Sequence, residues 1–282
     1  MSDWGKGVNN DIGWGQGANN DIGWGSIYDK SNAGETLLSG GGGFNPSNLF
    51  SNGEQGVWYD PNDLSTLFQD DAGTNPVTKD GDPVGKMLDK SGNGNHAFQS
   101  VSANRPVYKG ILYDGVDDFL DTGKKSFGNT SLFADSSEEF YVAVVANISS
   151  GNAGTVIAKG GSELIERNFQ IFFQGNLSSP SIVIRGNKYE TNWSLDDGQD
   201  HVIWANWDGS QMTVGYDDND AIIIPVGSAT LETTQRIIIG ARTNGIGFQF
   251  NGKIGGVVIR DKSLTVEEKR ETASFLLNKG IL

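Results

Sequence analysis

Between Phe140 and Asp261 the chain is a succession of short apolar segments broken by Gly, Asn, Asp and Ser. Phe140–Ile148 comes first. Thr155–Ala158, Asn168–Gln174, Ser181–Arg185, His201–Trp207, Gln211–Tyr216, Ala221–Val226, Arg236–Gly240 and Ile254–Arg260 follow. The segments are rich in Val, Ile, Phe, Trp and Tyr and recur roughly every ten residues, the signature of a β-sandwich or barrel. Within His201–Trp207 the residues alternate: Val202, Trp204 and Asn206 face one way, Ile203, Ala205 and Trp207 the other. Asp208-Gly209 lies between two such runs and signals a hairpin, because both positions of a tight turn take positive φ. No long helical pattern interrupts the series, which argues against a parallel α/β fold.

At 282 residues the chain can bury a sizeable core in a single large sandwich. Its 21 Lys and Arg against 35 Asp and Glu leave a net charge of −14. That excludes a nucleic-acid partner, whose phosphates need clustered cations. It suits either divalent cations or plain solubility. The absence of cysteine excludes disulfides and thiolate metal sites. Met1-Ser-Asp-Trp-Gly-Lys6 is not a secretory signal, and no apolar run reaches the ~20 residues of a membrane helix.

The first part of the chain is different. Trp4-Gly-Lys-Gly-Val-Asn-Asn-Asp-Ile12-Gly repeats as Trp14-Gly-Gln-Gly-Ala-Asn-Asn-Asp-Ile22-Gly, and Trp24-Gly starts a third copy. Each copy carries too few large apolar groups to support its own core. One reading is a disordered Gly/Asn-rich tail. The favoured one is an extended arm, residues 1–52, that orders against another subunit with Trp4, Trp14, Trp24, Ile12 and Ile22 as anchors. Gly40–Gly43 reads as its flexible joint. Residues 53–282 then form the sandwich.

Val57–Thr122 reads as loops with a few short strands. Within it, Asp89, Ser91, Asn93 and Asn95 place oxygen ligands at every second position, as a calcium loop does, and Asp117 could complete the set. Asx turns bonded to their own backbone give the same composition, and the order is not that of an EF-hand. Calcium is the one cofactor this pattern admits. At the other end Thr265-Val-Glu-Glu268 fits a capping box, and Gly280 is placed to stop the helix. Val266, Ala273, Leu276 and Leu277 make its apolar face, expected to pack across the edge or end of the sandwich.

Leu88-Asp-Lys-Ser-Gly-Asn-Gly-Asn-His96, Tyr113-Asp-Gly-Val-Asp-Asp-Phe119, His201–Gly209, Phe250-Asn-Gly-Lys-Ile254 and Ser263–Glu268 together carry a resemblance. From Val57 onward the chain resembles the concanavalin A-like jelly roll, in its laminin-G-like branch. Trp58–Gln69 with Val84–Gly92 looks like the form found in tailed-phage structural proteins, and the Trp-Gly-x-Gly repeats look like the starts of phage virion proteins. The resemblance implies an all-β jelly-roll sandwich with an arm and one C-terminal helix. It also implies a virion location, a homo-oligomer expected to be a trimer, and other virion proteins as partners.

The family hosts lectins, glycosidases and adhesion modules, so function must come from the site. No strand carries the paired carboxylates of a glucanase, and no Ser/His/Asp, P-loop or HExxH pattern occurs. No catalytic residue is assigned, and the chain is expected not to be an enzyme. Asp217, Asp218 and Asp220 are expected to solvate a hairpin tip. Sugar binding needs an exposed aromatic beside polar groups. Trp204 and Trp207 sit mid-strand and are expected to fill the core. Trp193, with Asn192 and Tyr189, is the platform candidate, on an outward surface that includes the loops Ser149–Gly154 and Asn187–Gln199. Two function classes remain: a phage fibre, spike or decoration subunit that displays a lectin-like sandwich or simply braces the particle, and a free-standing non-catalytic carbohydrate-binding module. The N-terminal repeat favours the first.

Overall fold

The computed structural model describes residues 43–124, 139–160, 167–175, 177–219, 221–226, 235–242 and 247–281. They belong to one unit, Ser39–Leu282. The leading segment supplies six short strands: β1 (Gly56–Tyr59), β2 (Leu67–Phe68), β3 (Lys86–Met87), β4 (Ala97–Phe98), β5 (Leu112–Asp114) and β6 (Leu120–Asp121). The apolar series supplies β7 (Phe140–Ser149), β8 (Gly154–Gly160), β9 (Arg167–Phe173), β10 (Pro180–Ile184) and β11 (Asn187–Glu190). It continues with β12 (Asp197–Trp207), β13 (Met212–Tyr216), β14 (Ile222–Ile224), β15 (Ile237–Ile239) and β16 (Asn251–Arg260), and α1 (Val266–Lys279) closes the fold.

The strands form two antiparallel sheets. Sheet A runs β1-β16-β7-β12-β13-β14, with β5 also paired to β16; sheet B runs β11-β10-β9-β8-β15-β6-β4-β3-β2. The all-β sandwich with one C-terminal helix is therefore as expected. The arm anchors Trp4, Trp14, Trp24, Ile12 and Ile22 lie outside the described residues.

Alternation along the strands builds two apolar layers. Ile203, Ala205 and Trp207 of β12 enter the core between the sheets, against Phe169, Ile171, Ile182 and Ile239 of sheet B. Val202 and Trp204 point to the opposite side of sheet A, into a second cluster with Leu49, Phe50, Trp58, Val258, Ala273 and Leu276. Trp204 and Trp207 are both buried, as expected, but in different layers. Asn206 completes the outer parity: its Oδ1 accepts the Leu264 N–H at 2.8 Å and positions the start of α1.

The helix begins as expected, with the Thr265–Glu268 capping box formed in both directions. Its placement corrects the expectation. It lies on the outer face of sheet A rather than across an edge or end. Val266, in the first turn, is 57% exposed. Two glycines allow this approach: a Cβ on Gly256 would lie 2.7 Å from Leu276 Cδ2, and one on Gly255 would lie 2.8 Å from Ile281 Cγ1. The turn Pro46–Phe50, on the arm's side of the boundary drawn at residue 52, joins the same layer, and Phe44 meets Phe275 edge-to-face at 6.3 Å. Burying Leu276 contributes roughly 2 kcal/mol by apolar area.

The Asp208-Gly209 hairpin exists but is longer than a two-residue turn. Trp207 pairs with Met212, leaving four loop residues, and only Gly209 has positive φ. Asp208 Oδ1 holds the loop by accepting from Ser210 N, Ser210 Oγ and Gln211 N. A second correction is β11. Asn187–Glu190, expected as a loop, is the edge strand of sheet B, turned through Arg185-Gly186.

Candidate functional site

The outer face of sheet B carries polar side chains where sheet A carries apolar ones. On β8, β9 and β10 the residues opposite in parity to the core are Thr155, Gln170, Phe172, Ser181 and Val183. Gln170 Nε2 donates to Thr155 Oγ1 at 2.7 Å, and Gln174 Nε2 reaches Ser181 Oγ at 3.4 Å. At the rim of this face Phe248 packs edge-to-face on Phe172, with ring centroids 5.6 Å apart. Lys188 Nζ sits 5.8 Å over the Phe172 ring and is ion-paired to Glu190.

Phe248 is 37% exposed although it is a large aromatic. Its φ of 55° is a left-handed conformation that a bulky residue adopts only at a cost. The backbone on either side fixes it there: Thr155 N donates to Phe248 O at 2.8 Å, and Phe250 N donates to Gly240 O at 2.8 Å. The result is a partly exposed ring packed on Phe172, at the margin of a face whose Thr155, Gln170 and Ser181 are themselves buried.

Trp193, expected as an exposed sugar platform, is buried. Trp193 is 7% exposed and belongs to the core between the sheets, its ring 5.0 Å from that of Tyr216. Asn192 is exposed and Tyr189 is half-buried against that core. Thr191, Trp193 and Leu195 are buried while Asn192 and Ser194 are exposed, a strand-like alternation that polar neighbours disguise.

The expected calcium set also separates. Asp89 spends its carboxylate on four local donors: Trp58 N, Ser91 N, Ser91 Oγ and Asn95 N, at 2.8 to 3.0 Å. Asn93 and Asn95 turn their amide N–H groups to the carbonyls of Glu54 and Gly56. Asp89 forms an Asx turn with Ser91, the two asparagines clamp the loop onto Glu54 and the start of β1, and N–H donors do not ligate a cation. Asp117 groups instead with Asp114 and Asp118, with carboxylate oxygens within 4.8 Å of one another. These carboxylates too accept local backbone N–H groups, Val116 N on Asp114 Oδ1 at 2.8 Å and Asp114 N on Asp118 Oδ2 at 3.0 Å.

Asp118, Asp121, Asp261 and His201 all have raised pKa values and shape the pH response, the three carboxyls chiefly through burial. Burial pushes the Asp118 carboxyl from 3.8 up to about 6. His201 is held between Asp217 (Nδ1 to Oδ2, 2.8 Å) and Asp197 (Nε2 to Oδ1, 3.2 Å), and the Asp217 hydrogen bond raises its pKa. Asp217 thus does not merely solvate a hairpin tip; it also accepts the Val202 N–H at 2.8 Å. Asp220 lies outside the described residues.

A raised folded-state pKa means the native state keeps a proton that the unfolded chain has lost, so stability falls as pH rises through that window. For Asp118 the window runs from 3.8 to about 6, and for His201 it opens at 6.5. Asp63, lowered by its hydrogen bond from Lys90, and Asp208, lowered by the Gln211 N–H, lose stability only on the acid side of 3.8. His96, lowered by burial, opposes the trend weakly. The thermal midpoint is therefore expected to peak at about pH 4 and decline toward pH 8. Asp118→Asn should shrink the lower part of the decline, which Asp121 and Asp261 share, and His201→Asn should remove the upper part. A midpoint climbing steadily from pH 5 to 8 would contradict this assignment.

No protein-family model matches the chain, and no curated protein is similar to it in sequence. Solved structures superpose on it to different extents. A GH54 α-L-arabinofuranosidase superposes with a TM-score of 0.56 at 10% identity, over 85% of this chain and 66% of that one. Trypanosoma rangeli sialidase in complex with DANA gives 0.48 at 13% identity, over 76% of this chain and 36% of that one. The CBM40 of Ruminococcus gnavus IT-sialidase, bound to α2,3-sialyllactose, gives 0.40 at 13% identity, over 51% and 85%. The chain spans about a third of the length of the sialidases it matches.

The likeness to the arabinofuranosidase corrects the expectation that the chain is not an enzyme. That protein is a glycosidase, so a missing glucanase carboxylate pattern does not separate this sandwich from enzymes. At such identity the likeness speaks for the fold alone: this chain is a two-sheet antiparallel β-sandwich of an architecture that also occurs in an arabinofuranosidase.

Proposed function

We propose that the sandwich recognises carbohydrate through the rim of sheet B around Phe248. Recognition of a sugar is the step that a lectin and a glycosidase have in common. The observation that carries the reading is the partly exposed ring of Phe248, set on a left-handed backbone against Phe172, the ring that the Lys188–Glu190 ion pair also approaches. A sugar has an apolar face to lay on such a ring and hydroxyls to satisfy the charged and amide groups beside it. Trp-Gly-x-Gly repeats and the resemblance to phage virion proteins support the finer reading. In that reading the chain is a homo-oligomeric subunit, anchored in a tailed-phage particle by its arm, that displays this face to a host-surface glycan. Weak single sites suffice there, since linked copies raise avidity by roughly 10² to 10⁴.

The test is glycan-array binding of the full chain. Phe248→Ala is expected to lower the signal at least about tenfold, equivalent to ~1.4 kcal/mol per site. Phe248→Gly should do the same while relieving the left-handed backbone, so its thermal midpoint should not fall. Array binding unchanged in both variants would overturn the assignment. No binding by the unaltered chain would leave a purely bracing role.

A further inference from the structure

At the far end of β10 from Ser181, the chain turns into β11 through Arg185-Gly186, with Ile184 paired to Asn187. Both turn residues have positive φ, 50° and 77°. This is the two-residue hairpin geometry that Asn and Gly satisfy, and an arginine there is held against its preference. The Arg185 N–H donates to Asn168 O at 2.9 Å, which pins the turn to β9. The side chain enters a crevice where the two sheets separate, walled by Phe140, Ile184, Trp207 and Met212, with Asn168 beside it.

Arg185 Nε and Nη1 are both shielded from solvent, and neither has a hydrogen-bond partner among the described residues. Arg105, Arg236, Arg260 and Arg270 each meet a carboxylate at 2.6 to 3.5 Å. Arg242 and Arg260 each leave a shielded Nε without a partner among the described residues; Arg185 leaves two such nitrogens and meets no carboxylate there. A guanidinium stays charged throughout the working pH range and offers donors in a plane. Shielded donors without acceptors are costly, and a strained backbone that delivers them to a crevice is a reason to look for a ligand.

We propose that the Arg185 crevice binds a carboxylate with a short apolar stem. A carboxylate is the planar acceptor that matches guanidinium geometry. The aromatic and aliphatic walls suit the stem. The crevice is shallow, its enclosed part having room for about one water, so a carboxylate oxygen reaches the guanidinium while the stem lies against the walls at the mouth, and a sugar ring does not enter. The site stands apart from the Phe248 rim and does not depend on it.

The experiment titrates the full chain with propionate, propionamide and inorganic phosphate, in buffer salty enough to screen the net charge of −14. Binding is read by calorimetry and by the thermal midpoint. Propionate is expected to bind saturably in the millimolar range and raise the midpoint, and uncharged propionamide should bind at least about tenfold more weakly. Arg185→Gln should abolish propionate binding. Arg185→Gly should relax the turn, raising the ligand-free midpoint while removing the response to propionate. The proposal falls if propionate binds Arg185→Gln as well as the unaltered chain, or if phosphate binds more tightly than propionate, which would mark a tetrahedral-oxyanion site. It also falls if propionate has no effect, and a destabilised Arg185→Gln would then show the guanidinium satisfied within the protein.

Discussion

Gly240→Ala is expected to cost at least about 4 kcal/mol, enough to unfold a large share of a marginally stable domain. Two effects add. The residue has φ 87°, where an L side chain carries roughly 1–2 kcal/mol of strain. The new Cβ would also lie 2.2 Å from Tyr113 Cε1 and 2.4 Å from Cδ1. Tyr113 cannot yield, being 1% exposed and set edge-to-face on Phe250 at 6.4 Å. Nor can the backbone shift, since Gly240 N donates to Val156 O at 2.9 Å and Gly240 O accepts from Phe250 N. Gly81→Ala is the control: its φ is 86°, but its Cβ would meet nothing within 4 Å, so strain alone should cost about 1 kcal/mol. Urea denaturation of both variants separates the two effects. Equal losses would show that Tyr113 moves aside.

Asp89→Ala should be the next largest loss, about 3 kcal/mol. The carboxylate is the shared acceptor for Trp58 N and Asn95 N, whose residues are 4% and 6% exposed, and for both donors of Ser91. Removing it strands at least two shielded N–H groups, each worth roughly 1–3 kcal/mol. The loop also ties back through Lys90 N to Trp58 O and through Asp89 N to His96 Nδ1, so its release should loosen β1. Asp89→Asn keeps an acceptor and should lose less. Because the donors are amides and a hydroxyl, the loss should be the same in chelator and in millimolar calcium. A loss that appears only when calcium is withdrawn would restore the cation reading of this loop.

What the sequence reveals here depends on how long a pattern runs. β7, β9, β12 and β16 extend over seven to eleven residues, enough for alternation to identify them and even to assign Trp204 and Trp207 to opposite layers. β2, β3, β4 and β6 have two residues each and leave no periodicity to read. β11 is an edge strand of Asn, Lys, Tyr and Glu, and its turn carries an arginine where a hairpin signal would be Asn. The capping box locates the start of α1 from local chemistry. The face it buries is decided by Gly255 and Gly256 on a distant strand, which local chemistry does not report. The same limit applies to the sites. Asp-x-Ser-x-Asn-x-Asn spells a cation loop and an Asx-turn loop alike, and only the direction of the N–H groups separates them. Phe248 owes its exposure to a left-handed backbone, and the donors of Arg185 matter only because a crevice surrounds them.

The pairing of β1 with β16 also bears on how the unit carries load. Gly56 stands opposite Arg260, and Phe44 touches Phe275, so the chain enters and leaves the sandwich at one place. A pull applied through both ends would strip α1 and the Pro46–Phe50 turn from sheet A. It would then open β1 from β16 rung by rung from that same end, rather than shearing all the rungs together. Antiparallel bonds lie across the strands, so in this geometry each bears the load in turn. Tethered at both ends, the sandwich would be compliant at its seam while the rest of both sheets stayed folded.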